Sequence, residues 1–403
     1  MKKILITTIL ACFVMTEDEF FEPGTTIGGY GELHYTNSAN PDCEGDDCYN
    51  STKLDFHRWI LFVNYNWTPE WSLKSELEIE HNMIDGNGDY DGEVELEQAY
   101  VNYHNANGGW GYGAGVILIS AGIINETHEP PTFLSVERPA YNSKIIPTTW
   151  FGNGAMVYGS FGDFHAKFVL HEDMKGSGMI SGSAFGGLRS GRAKGYKSKA
   201  YHWTKNMAVH WTGMEGLNVG GSFTFGGAAT DLDGTNPTKD YVDWNLFEVH
   251  GQYNANNIIG AFEYGTVGFS HVADNMAGQD AGDDGIWGDD EDTTEIDESA
   301  DDSNFKLVLP DQVASGYYMQ LGYDIAPMLG WEDCKLAPWF GMGMYDLNDL
   351  DTNGEKTNTM FGLTWWPNDQ ISWKFDYDMQ VTKNADGSES KANVMSLGVG
   401  YMF

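Results

Sequence analysis

Nowhere beyond its first residues does this chain hold an apolar run approaching the roughly 20 residues that a helical membrane span requires. Basic residues are scarce: 22 Lys+Arg among 403 residues, of which only Arg58, Arg138, Arg189 and Arg192 are arginines. The first absence means that any membrane insertion must be as a β-barrel, the other structure that satisfies its own backbone in lipid. The second, set against 59 Asp+Glu and a formal net charge of -37, argues against a nucleic-acid partner, whose phosphates need a basic surface. Catalytic groupings are missing as well. Gly-x-Ser-x-Gly occurs only in fragments around Gly176–Ser183, and His and Ser are scattered over different strands, so the sequence reads as non-enzymatic. What is abundant is glycine, 50 residues, and aromatic side chains, 14%, which suit strands and tight turns.

The end of the chain shows the pattern most plainly. From Ile371 to Val381 every odd position is apolar or aromatic and every even one is Ser372, Lys374, Asp376, Asp378 or Gln380. Period two gives a strand with one oily and one wet face. After a turn at Asn384–Ser390 the alternation resumes and stops on Phe403. In 71–81, Leu73, Ser75, Leu77 and Ile79 oppose Lys74, Glu76, Glu78 and Glu80. Four consecutive inward charges require a wet interior.

Read this way, residues 26–403 give an all-β chain of about sixteen strands, a transmembrane antiparallel β-barrel, with short connections alternating with long ones. Such asymmetry between the two rims is the habit of outer-membrane barrels. The reading places strands over Tyr112–Ile124 and Lys199–Trp211 and leaves the register of Glu95–His104 open. Pro130, Pro131, Pro139 and Pro147 forbid a regular ladder between Asn125 and Trp150. Residues 1–20, with Lys2, Lys3 and the apolar run Ile4–Met15, read as a signal peptide without an Ala-x-Ala cleavage site. Tryptophans near strand ends, among them Trp67, Trp71, Trp110, Trp339, Trp365, Trp366 and Trp373, read as an interfacial girdle.

Several segments in order then carry a resemblance: Ile27-Gly-Gly-Tyr-Gly-Glu-Leu-His-Tyr35, Leu54-Asp-Phe-His-Arg58, Val94-Glu-Leu-Glu-Gln-Ala-Tyr100, Asn125-Glu-Thr-His-Glu-Pro-Pro-Thr132, Ile145-Ile-Pro-Thr-Thr-Trp150 and Gly187-Leu-Arg-Ser-Gly-Arg192. They resemble porins of the phosphate-selective (O and P type) family. The resemblance implies a sixteen-stranded outer-membrane barrel, commonly a homotrimer, whose third external loop folds inward to narrow the pore. Asn125–Trp150 falls at that loop. The family's arginine ladder has no counterpart in a chain with four arginines.

Candidate residues of the constriction and solute path are Glu126, His128, Glu129, Glu137, Arg138 and Lys144 on the loop, with Arg58, Arg189 and Arg192 beside it. Charges at a narrow, low-dielectric passage set ion preference through their local field; the same charges can instead pair and hold the loop folded. The cluster from Arg189 to Lys199 can steer anions toward the mouth, lie back into the lumen and balance the inward glutamates, bind lipopolysaccharide phosphates or neutralise neighbouring loops. Residues 274–302 carry thirteen carboxylates and no Lys or Arg, a solvated run able to take Ca2+ or Mg2+. Asp349, Asp351 and Asn353 resemble the start of a calcium loop, although Met360 stands where its bidentate Glu belongs. No cofactor is expected otherwise. Cys43 and Cys48 are placed to close a loop by a disulfide in an exported protein, and Cys334 has no evident partner.

The expectation is a bacterial outer-membrane porin, in contact with lipid and lipopolysaccharide, that passes small hydrophilic solutes and ions with little selectivity. The alternatives are an anion- or phosphate-preferring channel, a loop-plugged acidic surface or adhesion barrel, and a soluble secreted calcium-binding β protein.

Overall fold

The computed structural model describes residues 21–38, 50–83, 92–179, 187–230, 236–273, 312–349, 354–384 and 386–403. The signal segment 1–20, Cys43, Cys48, the acidic run 274–302, Asp351 and Asn353 lie outside the described residues.

Alternating residues form strands because period two lets each strand present one face to lipid and one to the interior. The strands are β1 (Gly24–Ser38), β2 (Ser51–Asn66), β3 (Trp71–Glu80), β4 (Val94–Asn105), β5 (Trp110–Leu118), β6 (Phe151–Phe161), β7 (Phe164–His171), β8 (Thr204–Met214), β9 (Leu217–Ala229), β10 (Asp240–Ala255), β11 (Ile258–Ala273), β12 (Gln312–Tyr323), β13 (Lys335–Asp346), β14 (Lys356–Asn368), β15 (Ile371–Lys383) and β16 (Glu389–Met402). Each pairs antiparallel with its sequence neighbours, and β1 closes on β16 from Tyr30↔Met402 to Ser38↔Val394, making one closed sixteen-stranded barrel. Closure removes every free strand edge.

Facing follows the alternation. On β15, Ser372, Lys374, Asp376 and Asp378 are buried inward, while Trp373 and Met379 are exposed. On β3, Glu76 and Glu78 are buried. Leu96, Val101, Val157, Phe168, Phe223, Phe247, Phe262, Leu321, Phe340, Phe361, Leu363 and Leu397 belong to an apolar outer surface, which only a lipid environment would leave uncovered.

Departures from the alternation have local causes. The β3–β4 register slips between Glu76↔Gln98 and Leu77↔Leu96, leaving Glu97 as the extra residue of a β-bulge; this is why the register of Glu95–His104 could not be read from the sequence. β5 ends at Leu118 rather than Ile124. Ile119, Ala121, Ile123 and Ile124 keep the strand's apolar character because they are buried among interior residues rather than against lipid. β8 begins at Thr204, not Lys199, because the Asp173 carboxylate takes the backbone N–H groups of Tyr201, His202 and Trp203 out of any ladder. Trp339 and Trp366 depart from the girdle reading. Both are buried with Leu134, and the Trp366 indole donates to the Pro131 carbonyl at 2.9 Å.

Candidate functional site

The connection from β5 to β6, residues 119–150, is the third of the long connections and touches strands all around the barrel. Asn125 closes its base: the side-chain amide donates to the Ile119 carbonyl at 2.6 Å and the Trp150 carbonyl at 3.2 Å, and its oxygen accepts from the Trp150 N–H at 2.7 Å. Leaving that base, the segment meets β8, where Asn206 donates to the Ser120 carbonyl at 3.0 Å. On β11, Glu263 accepts from the Ile123 N–H, the Asn142 amide and the Tyr318 hydroxyl, each at 3.0 Å. Gly122 passes Glu263 with φ +70°, so close that a Cβ there would stand 2.3 Å from the carboxylate. Only glycine combines that conformation with that approach.

The segment then reaches β12, β14 and β15. The Leu134 carbonyl accepts from Thr364 on β14 at 2.6 Å, and the Ser135 carbonyl from Lys374 on β15 at 2.8 Å. The Val136 N–H donates to Asp376 at 2.7 Å, and Gln320 on β12 donates to the Ser135 hydroxyl at 3.0 Å. The Lys374 ammonium also lies 3.6 Å from the centre of the Phe133 ring. With Glu126 held by Lys167 on β7, half the barrel away from β15, the segment crosses the barrel and returns. In the sequence Glu263, Gln320, Thr364 and Lys374 were ordinary members of alternating strands; Asn125 alone had a signal, its place at the head of the proline-rich motif.

The candidate residues divide by what holds them. Glu126 pairs with Lys167 on β7 at 2.6 Å and accepts from Ser120. Burial disfavours its charge, but the Lys167 ammonium holds its carboxyl below the usual range. His128 is buried, with Nδ1 3.3 Å from the Asn125 carbonyl and Nε2 3.4 Å from Glu76. Burial and then the Arg138 charge bring its pKa down to about 4, leaving a neutral imidazole. Glu129 has a buried carboxylate oxygen without a hydrogen-bond partner, and Arg138 donates to the His128 carbonyl at 3.4 Å. Glu137, half open to water, accepts from His34 Nδ1 at 2.7 Å. The surrounding protein would raise the pKa even with one side open, but the His34 hydrogen bond outweighs it and holds the carboxyl at about 2. Lys144 is exposed.

Arg58 lies on the barrel wall, buried between Glu32 at 2.8 Å, Glu78 at 3.2 Å and Glu80 at 3.5 Å. His34 bridges Glu32 and Glu137 and stacks on His57 at 4.9 Å. Arg189 and Arg192 donate to the Thr148 and Thr149 carbonyls at 2.6 Å and 2.5 Å. Thus the connection 172–203, carrying the basic cluster, folds back onto the crossing segment. Lys194 pairs with Glu93 and Glu95. Of the calcium candidates, Asp349 is described; its carboxylate accepts the Val313 N–H at 2.7 Å. Cys334 is a free, half-buried thiol.

The two sides of the lumen differ. Toward β9–β12, the crossing residues Tyr141, Ile145, Ile146 and Trp150 join Ala228, Val242, Trp244, Leu246, Val267, Phe269 and Ala314 in an apolar cluster with Met174, Met179 and Leu188. Toward β1–β4 the interior is ionic, and Asp55, His57, Glu80, His81, Glu95 and Arg138 keep partial exposure.

Among solved structures, the chain is similar to the outer membrane channel DcaP of Acinetobacter baumannii, with TM-score 0.57 and 11% identity over 94% of this chain and 97% of that one. It is likewise similar to the anion-selective porin from Comamonas acidovorans, with TM-score 0.54 and 13% identity over 95% and 100% of the two chains. OmpT of Vibrio cholerae in its trimer form aligns with TM-score 0.53 and 12% identity over 94% and 99%. At such identities the likeness is one of fold, shared with outer-membrane porins and channels. No protein-family model matches the sequence. An uncharacterized protein of Aquifex aeolicus (strain VF5) is 30% identical over 367 residues, covering 88% of this chain and 75% of the relative. This sixteen-stranded barrel of the bacterial outer membrane therefore belongs to the same family as the uncharacterized Aquifex aeolicus protein.

Proposed function

We propose that the barrel is a passive diffusion pore for small hydrophilic solutes and ions, exported by its 1–20 segment, with residues 119–150 forming the constriction. The observation that carries this reading is the segment's path across the barrel, held by β7 on one side and β15 on the other; in this reading the partly exposed charges of the β1–β4 side line the passage. Glu137 and Arg138 border that passage, and Arg58 lies behind it, whereas Lys144 stands near Arg189 and Lys356. Arg189 and Arg192 act by clamping the 147–149 backbone, and Glu126 and His128 by holding the loop.

Within the segment itself Glu126, Glu129 and Glu137 outnumber Arg138 and Lys144, so a weak cation preference is expected. That expectation departs from phosphate selectivity, the finer reading of the resemblance noted above. Assembly as a homotrimer in lipid and lipopolysaccharide accords with the trimer form of OmpT. The apolar cluster gives weight to a second reading, a loop-plugged surface barrel. Single-channel conductance and reversal potential under a potassium chloride gradient, with phosphate added, separate the possibilities. Steady conductance with cation-side reversal is the expected result. Anion-side reversal with phosphate block would move the chain to the phosphate-type channels, and folded protein without conductance would favour the plugged barrel.

A further inference from the structure

A buried group of three side chains joins the crossing segment to the wall near the bulge. Glu76 on β3, Glu97 on β4 and His128 on the segment are 1%, 0% and 4% exposed, and their ligand atoms all lie within 4.8 Å of one another. Glu76 Oε1 is 3.4 Å and Glu97 Oε2 3.8 Å from His128 Nε2.

The outer atoms of the three groups are held. Gln98 donates to Glu76 Oε2, the Thr149 hydroxyl donates to Glu97 Oε1, and His128 Nδ1 faces the Asn125 carbonyl at 3.3 Å. Glu97 Oε2 is buried with no hydrogen-bond partner. A buried carboxylate oxygen without a donor is costly, and here it is aimed at an imidazole nitrogen. With the Nδ1 proton on the Asn125 carbonyl, the Nε2 lone pair points at two carboxyl oxygens, so that three acceptors converge whenever both carboxyls are ionised. The alternative tautomer only moves the conflict to Nδ1 and the Asn125 carbonyl. The adjacent carboxylates have cations of their own, Glu78 with Arg58 and Glu95 with Lys194, whereas Arg138 spends its contact on the His128 carbonyl. The bulge turns Glu97 inward beside Gln98, so ligand and support come from consecutive residues.

We propose that Glu76, Glu97 and His128 bind one divalent transition-metal cation, which clips the crossing segment to the barrel wall. One imidazole nitrogen and two carboxylate oxygens suit Mn2+, Fe2+ or Zn2+, whereas Ca2+ and Mg2+ take oxygen ligands. Held outer atoms, including an imidazole N–H on a backbone carbonyl, are the usual support of such ligands. The site does not depend on the barrel being a diffusion pore.

The test uses the full-length folded barrel in detergent, stripped with chelator, and titrated with Mn2+ in excess Mg2+ to occupy the acidic loops. Electron paramagnetic resonance should show one bound Mn2+ per chain with histidine-nitrogen coupling, displaced by Zn2+. Glu97→Gln should abolish the nitrogen-coupled signal. Thr149→Val, which touches only the supporting hydrogen bond, should weaken Mn2+ by about 10–100-fold. Heat-modifiable gel mobility checks that each variant is folded; if Glu97→Gln is not, the wild-type spectrum and Thr149→Val decide. A wild-type barrel that binds no nitrogen-coupled Mn2+, or a folded Glu97→Gln barrel that binds it as tightly as wild type, overturns the proposal.

Discussion

The crossing segment is gripped by two unlike walls. On the β9–β12 side it is held by volume: Trp150 meets Trp244 with ring centres 5.8 Å apart, inside a cluster of side chains almost wholly removed from water. On the β1–β4 and β15 side it is held by direction, through the Glu137–His34, Val136–Asp376 and Lys374–Ser135 contacts. Packing is insensitive to salt and pH but sensitive to every methylene removed. Ionic and hydrogen-bonded contacts respond to both, and they leave charge where a solute would pass. One wall thus fixes where the segment lies, and the other, in the proposed pore, would set which ions feel it.

The largest effect should come from the packed wall. Trp244→Ala should cost about 3–5 kcal/mol, read as a lower urea midpoint for the refolded barrel, with the reversal potential unchanged wherever the barrel still conducts. Gly122→Ala should cost roughly 1–3 kcal/mol, because a side chain is forced into a left-handed conformation against Glu263. Its readout is noisier single-channel current as the segment shifts, and a quiet, wild-type trace would show that the Glu263 anchor is dispensable.

The ionic wall should respond differently. Glu137→Gln should cost about 1 kcal/mol or less, since half of the side chain faces water, yet it should move the reversal potential toward anions, most visibly at low salt. The same residue sets an acid limit. Its folded pKa, near 2, lies below the ordinary 4.5, so its contribution is complete above pH 4.5 and is lost as pH falls toward 2. Segment noise in the wild type should therefore rise over that window, and Glu137→Gln should flatten the rise. Smallest of all, Lys194→Gln removes a partly exposed pairing with Glu93 and Glu95 and should change stability by less than about 1 kcal/mol. A larger loss in urea unfolding would mean that the connection 172–203 bears on the crossing segment more heavily than the two arginine clamps account for.

How much of this was legible depended on whether neighbours along the chain carried the signal. The inward Glu76 and Glu78, and Lys374 and Asp376, were visible because alternation is a property of consecutive residues. Trp339 and Trp366 were misread for the complementary reason. An aromatic near a strand end looks the same whether it meets a membrane interface or a folded-in loop, and only the presence of Leu134 and the Pro131 carbonyl distinguishes the two. The convergence of Glu76, Glu97 and His128 was hidden twice over: His128 is distant in sequence from both carboxylates, and a bulge at Glu97 broke the alternation that would have oriented it.

By itself the sequence determined the sixteen strands, their facing and the alternation of short with long connections, because a barrel in lipid must satisfy its backbone by local pairing and sort its side chains by period two. It also marked 125–150 as a segment that could not be a strand, through its prolines. Only the tertiary structure decided where that segment goes. Its anchors, Glu263, Thr364, Lys374 and Asp376, are more than a hundred residues away along the chain and become neighbours only when β1 closes on β16.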